Sequence, residues 1–159
     1  MTQPTTTTTT PAKAITGTSV ESVQKALGTE HAAIWTYTLV SAFLPASFNA
    51  ALSDGVTTHR ARRDATERAL TAGGATPQPA EAAYVPPQPV TDQASSLAVL
   101  ALAEADGTVA WRSVLEHTDD PDLRKSALEY LTASAVRATR WRKAAGANPA
   151  TPAMPGMPG

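Results

Sequence analysis

The chain has 159 residues and a formal charge of −1, with 13 Lys and Arg against 14 Asp and Glu. That balance excludes an affinity for nucleic acid or anionic membrane driven by overall charge. The absence of cysteine excludes disulfides and thiolate chemistry, and the length suits one domain with tails.

The segment Met1 to Thr10 has neither a basic start nor an apolar core, so it does not read as a secretory signal. Residues 2–12 are Thr-rich with Pro4 and Pro11, and residues 1–17 are expected to form a disordered tail. The first helical pattern opens on Thr18-Ser19-Val20-Glu21, a capping-box spacing, and runs to about Leu44, where Pro45 stops it. Its most apolar stretch, Ala32 to Ala46, is interrupted by Thr36, Thr38 and Ser41 and is shorter than the roughly 20 residues a membrane span needs. No membrane association is expected, and the chain reads as cytoplasmic.

The second helical pattern begins near Ser47 or Asn49 and ends at Gly73-Gly74. Residues 74–91 then carry Pro77, Pro79, Pro86, Pro87 and Pro89, which predicts an extended segment able to travel the length of a helix pair. The third pattern runs from Thr91 or Asp92 to about His117. The fourth has Asp120 as N-cap and Pro121 at the first helical position, and ends before Gly146. Residues 147–159 form a Pro/Gly-rich tail, mobile unless its Met154-Pro155-Gly156 end docks. Two antiparallel helical hairpins joined by one long crossover is the connectivity of ferritin-like bundles. The predicted fold is therefore an all-α, ferritin-like four-helix bundle over residues 18–146.

Stepping about 100° per residue selects the inward stripe of each helix. The first helix offers Val20, Val23, Leu27, Glu30, His31, Ile34, Thr38 and Ser41. The second offers Leu52, Val56, His59, Arg63, Glu67 and Leu70, and the third Leu97, Leu100, Ala101, Glu104, Thr108, Trp111 and Leu115. The fourth offers Leu123, Ala127, Tyr130, Leu131, Ser134 and Trp141, with Arg137 at the margin. Glu30, His59 and Glu104 reach one level of the bundle, where burying them costs several kcal/mol unless they are paired.

A di-iron bundle asks for one Glu from each of two helices and a Glu-x-x-His pair from each of the others. Glu30 and Glu104 fill the single-Glu places. On the second helix the pair reads Val56 and His59, and the fourth carries Leu131 and Ser134, so the site is incomplete. The segments Glu30-His31-Ala32-Ala33-Ile34-Trp35-Thr36-Tyr37, His59-Arg60-Ala61-Arg62-Arg63-Asp64, Pro89-Val90-Thr91-Asp92 and Arg140-Trp141-Arg142 resemble an actinobacterial ferritin-like family of unknown function. The resemblance covers residues 18–157; it implies the ferritin-like fold and no activity.

These residues support a buried ion-pair network of Glu30, His31, His59, Arg63, Glu67, Glu104 and Arg137, with Arg63 as the internal counter-charge. The protein would then be non-catalytic, structural or binding, and no cofactor is expected. The competing reading is a single iron or manganese ion held by Glu30, His59 and Glu104. The basic runs from His59 to Arg63 and from Arg137 to Lys143 could contact phosphates. Both read more simply as solvated helix faces, so nucleic acid is not an expected partner. Val99, Leu102 and Val109 form a second apolar set on the third helix, which points to a homodimer or, equally, to a covering by Tyr84, Val85 and Val90 of the crossover. Trp35, Trp111 and Trp141 are expected to supply core area. No spacing supports hydrolytic or nucleophilic catalysis.

Overall fold

The computed structural model describes residue 15 and residues 17–157; most of the predicted 1–17 tail, and the last two residues of 147–159, lie outside the described residues. Four α-helices of 24 residues each follow in order: α1 (Gly17–Val40), α2 (Asn49–Ala72), α3 (Gln93–Glu116) and α4 (Pro121–Ala144), with no strand among the described residues. A 3-10 turn, Ala46–Phe48, joins α1 to α2.

The helix starts follow local chemistry. Asp92 caps α3 by accepting from the Ser95 amide at 2.8 Å, while the Ser95 hydroxyl accepts from the Asp92 amide. Asp120 caps α4 through the amides of Asp122 and Leu123, ahead of Pro121 at N1. At α1 the expected capping box is not the start. The helix already includes Gly17, so Thr18 lies in its first turn, and Glu21 pairs instead with Lys25 at 2.9 Å.

Side-chain contacts set the directions. Ser19 bonds the carbonyl of His117 and Tyr37 reaches Glu104, so α1 and α3 are antiparallel. Arg62 meets Ser134 and Asp54 meets Arg137, so α2 and α4 are antiparallel too. The helix α1 packs on both α2 and α3, and α4 packs on α3. The crossover climbs α1: the Gln24 side chain donates to the Thr76 carbonyl at 2.7 Å and accepts from the Gln78 amide at 2.9 Å. Higher up, Tyr84 stacks obliquely on Trp35 and Val90 reaches the core.

The buried positions alternate in steps of three and four. In α2 they include Leu52, Gly55, His59, Arg62 and Thr66, and in α3 Leu97, Leu100, Glu104, Gly107, Trp111 and Val114. This is the 3.5-residue repeat of left-handed bundle packing, not the 3.6-residue step of a straight helix. Two apolar clusters result. One gathers Val23, Leu27, Leu70, Trp111 and Val114; the other gathers Tyr37, Val40, Leu52, Leu97, Leu100 and Trp141. Glu30, His59 and Glu104, also buried, meet at mid-height of the bundle.

The second apolar face of α3 is largely covered by the chain itself. Val99 is buried and, with Tyr84 and Val85, lines a cleft beneath the crossover. Val109 is half-buried beside Met154 and Pro155 of the C-terminal segment, whose Gly156 (φ +86°) sits where a Cβ would meet the Thr108 carbonyl at 3.1 Å. Leu102, between the two coverings, stays 41 % exposed. No helix among the described residues is long and apolar enough to cross a membrane.

Candidate functional site: a charge-balanced polar layer

His59 projects from α2 into the centre of the bundle, where only 2 % of the residue is exposed. Its Nδ1 lies 2.7 Å from Glu30 Oε2 and its Nε2 lies 3.1 Å from Glu104 Oε1. A carboxylate at each ring nitrogen favours a proton on both, the imidazolium form. Burial is the largest single influence and opposes that charge. The bonds and charges of Glu104 and Glu30 outweigh it, and the imidazole is pushed up to about 9.

Each carboxylate has further donors. The indole of Trp111 donates to Glu30 Oε1 at 2.7 Å, and the Arg62 guanidinium approaches the same oxygen at 3.8 Å. The Tyr37 hydroxyl donates to Glu104 Oε1 and itself accepts from the Trp141 indole at 2.8 Å. Burial and the neighbouring Glu104 hold the Tyr37 phenol above its usual range, so it stays a donor. Burial works to raise Glu104, but His59, with help from Tyr37 and Ser134, holds it below the ordinary carboxylate value. Arg62 donates to the Ser134 hydroxyl at 2.8 Å and lies 5.1 Å from the centre of the Tyr130 ring. Two acidic side chains thus face one imidazole and one guanidinium.

The structure brings together Glu30, His59 and Glu104, and places the other sequence-predicted residues elsewhere. Arg63 is not the internal counter-charge: its side chain is 30 % exposed and pairs with its neighbour Asp64 at 2.7 Å. Arg62 takes that place, because the bundle repeat brings residues 55, 59, 62 and 66 inward. His31 is buried against the crossover, 3.3 Å from the Gln78 carbonyl, with the partly exposed Glu67 3.8 Å away. Arg137 binds Asp54 and Thr58 at the α2–α4 margin. The i, i+3 pair facing the layer from α2 is therefore His59 and Arg62, not Val56 and His59. Sequence reasoning missed Arg62, Tyr37 and the polar roles of Trp111 and Trp141. The signal was available in part, since a buried indole N–H needs an acceptor.

Stability should carry the signature of His59. Its folded value of about 9 exceeds the ordinary 6.5, so the folded state binds the extra proton. The resulting stabilisation, about 3 kcal/mol at most, is complete below about pH 6.5 and lost as pH rises through about 9. Urea midpoints measured from pH 6 to 10 should fall across that window; a flat profile would show that the ring is not charged.

Among the described residues no group of three or more His, Asp or Glu side chains is arranged to hold a metal ion. The donors explain why. His59 has spent both nitrogens and Glu30 both oxygens, and Glu104 Oε2 is the one carboxylate oxygen of the layer without a hydrogen-bond partner. One free carboxylate oxygen is too small a donor set for a di-iron or mononuclear centre.

The solved structure of a conserved hypothetical protein from Mycobacterium tuberculosis superposes with a TM-score of 0.78 at 38 % identity, covering 81 % of this chain and 98 % of that one. No curated protein matches the chain. A family model matches residues 22–159, a span that takes in all four helices and the polar layer apart from the first turns of α1. The chain therefore belongs to the family described as a domain of unknown function, DUF4439.

Proposed function

We propose that this is a ferritin-like bundle in which an internally paired ion network stands in the ligand positions of a di-iron centre, and that the protein is non-catalytic, structural or binding. The observation carrying this reading is the His59 ring, which bridges Glu30 and Glu104 with both nitrogens. The crossover topology supports the ferritin-like assignment, since the two hairpins and parallel α2 and α3 follow that connectivity. In the di-iron pattern the i, i+3 pair on α2 would be Glu and His; here it is His59 and Arg62, two cations. On α4 the layer meets Ser134, which supplies neither carboxylate nor imidazole, while Arg137 pairs with Asp54 outside it. His59 and Arg62 supply the charge that two metal ions would otherwise bring to Glu30 and Glu104.

Expression in iron- and manganese-replete medium, followed by desalting and mass-spectrometric metal analysis, tests this directly. The expected metal content is far below one ion per chain. One retained iron or manganese per chain, lost on His59→Ala, would sink the proposal and establish the mononuclear reading.

A further inference from the structure

The α2–α4 seam is the loosest in the bundle, and at the end formed by the last turns of α2 and the first of α4 it opens into a cleft of about 250 Å³. Ile15, Ala65, Ala69 and Leu123 wall it, and Tyr130 forms its floor, backed by Trp111 and Val23, which are themselves buried. The two rings meet edge to face with centroids 4.8 Å apart. Trp111 is fixed by its bond to Glu30, and Tyr130 has Arg62 over its ring, so the floor is rigid before any ligand arrives. The alanines of α2 leave room that larger side chains would fill.

The polar groups around this apolar space share one sign. Asp120 and Asp122 line it from the start of α4, together with Ser126 and Thr66, and no Lys, Arg or His lines it among the described residues. Asp120 uses one oxygen to cap α4. Asp122 is exposed and forms no ion pair or side-chain hydrogen bond among the described residues. Lys125, the cation nearest in sequence on α4, is held by Glu129 at 2.5 Å. An apolar pocket with a few convergent polar groups is the usual form of a small-molecule site in a helical bundle. Here the aromatic floor favours an aryl body and the acidic rim an attached positive charge.

We infer that this cleft binds a small organic cation with a single-ring apolar body, an arylalkyl ammonium in chemical class, with its ring against Tyr130 and its ammonium toward Asp122. The inference gives content to the binding part of the proposed function and does not depend on the absence of metal, so the two fail separately.

Titration of the full chain with 4-phenylbutylammonium, 4-phenylbutyrate and 4-phenylbutanol, followed by calorimetry and tryptophan fluorescence, tests it. The ammonium should bind saturably and at least ten times more tightly than the carboxylate, with the alcohol between them. Asp122→Asn, a surface change, should narrow the difference between ammonium and alcohol at least fivefold. Ala69→Phe should abolish binding while the helical circular dichroism is retained. If that variant does not fold, Ala65→Leu serves the same purpose from the same wall. Absence of saturable binding, equal affinity for the three probes, or unchanged binding in a folded cleft-filling variant would each overturn the inference.

Discussion

His59→Ala should lower the stability of the bundle by about 3–5 kcal/mol, the cost of stripping one partner from a buried ion pair. The reason is geometric. The ring separates Glu30 Oε2 from Glu104 Oε1, and without it two ionised carboxylates face each other across a void at 1 % exposure or less. Against a typical total of about 5–15 kcal/mol, such a loss leaves a marginal protein. The pH response should keep its sign but move to a lower window. The native chain is stabilised by protonation of His59 and weakens with rising pH through about 9. In the variant a carboxylate must take up a proton to relieve the repulsion, so stability should rise as pH falls from 8 to 5. Arg63→Ala is the matched control: it removes a half-exposed cation four residues along the same helix and should shift stability by no more than about 0.5 kcal/mol. Urea unfolding of both variants at three pH values decides the matter. A large loss with Arg63→Ala and a small one with His59→Ala would return the counter-charge to the position predicted from sequence.

That exchange of Arg63 for Arg62 shows where the sequence is legible and where it is not. Boundaries are written locally: Gly73-Gly74 ends α2, Asp92 and Asp120 cap α3 and α4, and the five prolines of residues 74–91 keep the crossover extended. These signals act over a few residues and need no knowledge of the neighbours. The rotation of each helix about its axis does need it. A straight helix drifts by about 20° per heptad from the 3.5-residue seam. Over the 24 residues of α2 the accumulated error reaches about 70°, enough to carry a residue off the inward stripe. Residues near the middle, Glu30, His59 and Glu104, tolerate the error and lie inside on either count. Farther along, the straight-helix step selects Thr38 and Ser41, which are exposed, and passes over Tyr37 and Val40, which are buried. The same drift hid the donor of Glu104, because Tyr37 lay off the predicted stripe. The cleft beside α4 was hidden for another reason: it arises from separation between α2 and α4, which no single-helix pattern encodes.

The packing around Tyr37 sets up the clearest conflict between local propensity and tertiary structure. Gly55 lies in the interior of α2, where alanine would ordinarily stabilise a helix by about 0.5–1 kcal/mol. At this position a Cβ would stand 2.0 Å from Cε1 of Tyr37 and 2.7 Å from its Cδ1 and Cζ. The ring has nowhere to retreat. Its hydroxyl is bonded to both Glu104 and the Trp141 indole, and its faces meet His59 and Trp141 at centroid distances of 5.2 and 6.0 Å. Overpacking alone costs about 1–3 kcal/mol, and a displaced hydroxyl would leave Glu104 short of a donor, which adds about 1–3 kcal/mol more. Gly55→Ala should therefore destabilise by about 3 kcal/mol, with the sign opposite to that of helix propensity. The coupling identifies the cause. In a Tyr37→Val background the ring is gone, and Gly55→Ala should become neutral or stabilising; in a Tyr37→Phe background the ring stays, and the penalty should persist in large part. A rise in the unfolding midpoint of the single variant would show that α2 can shift away from Tyr37. The polar layer would then not be the rigid element that its hydrogen bonds describe.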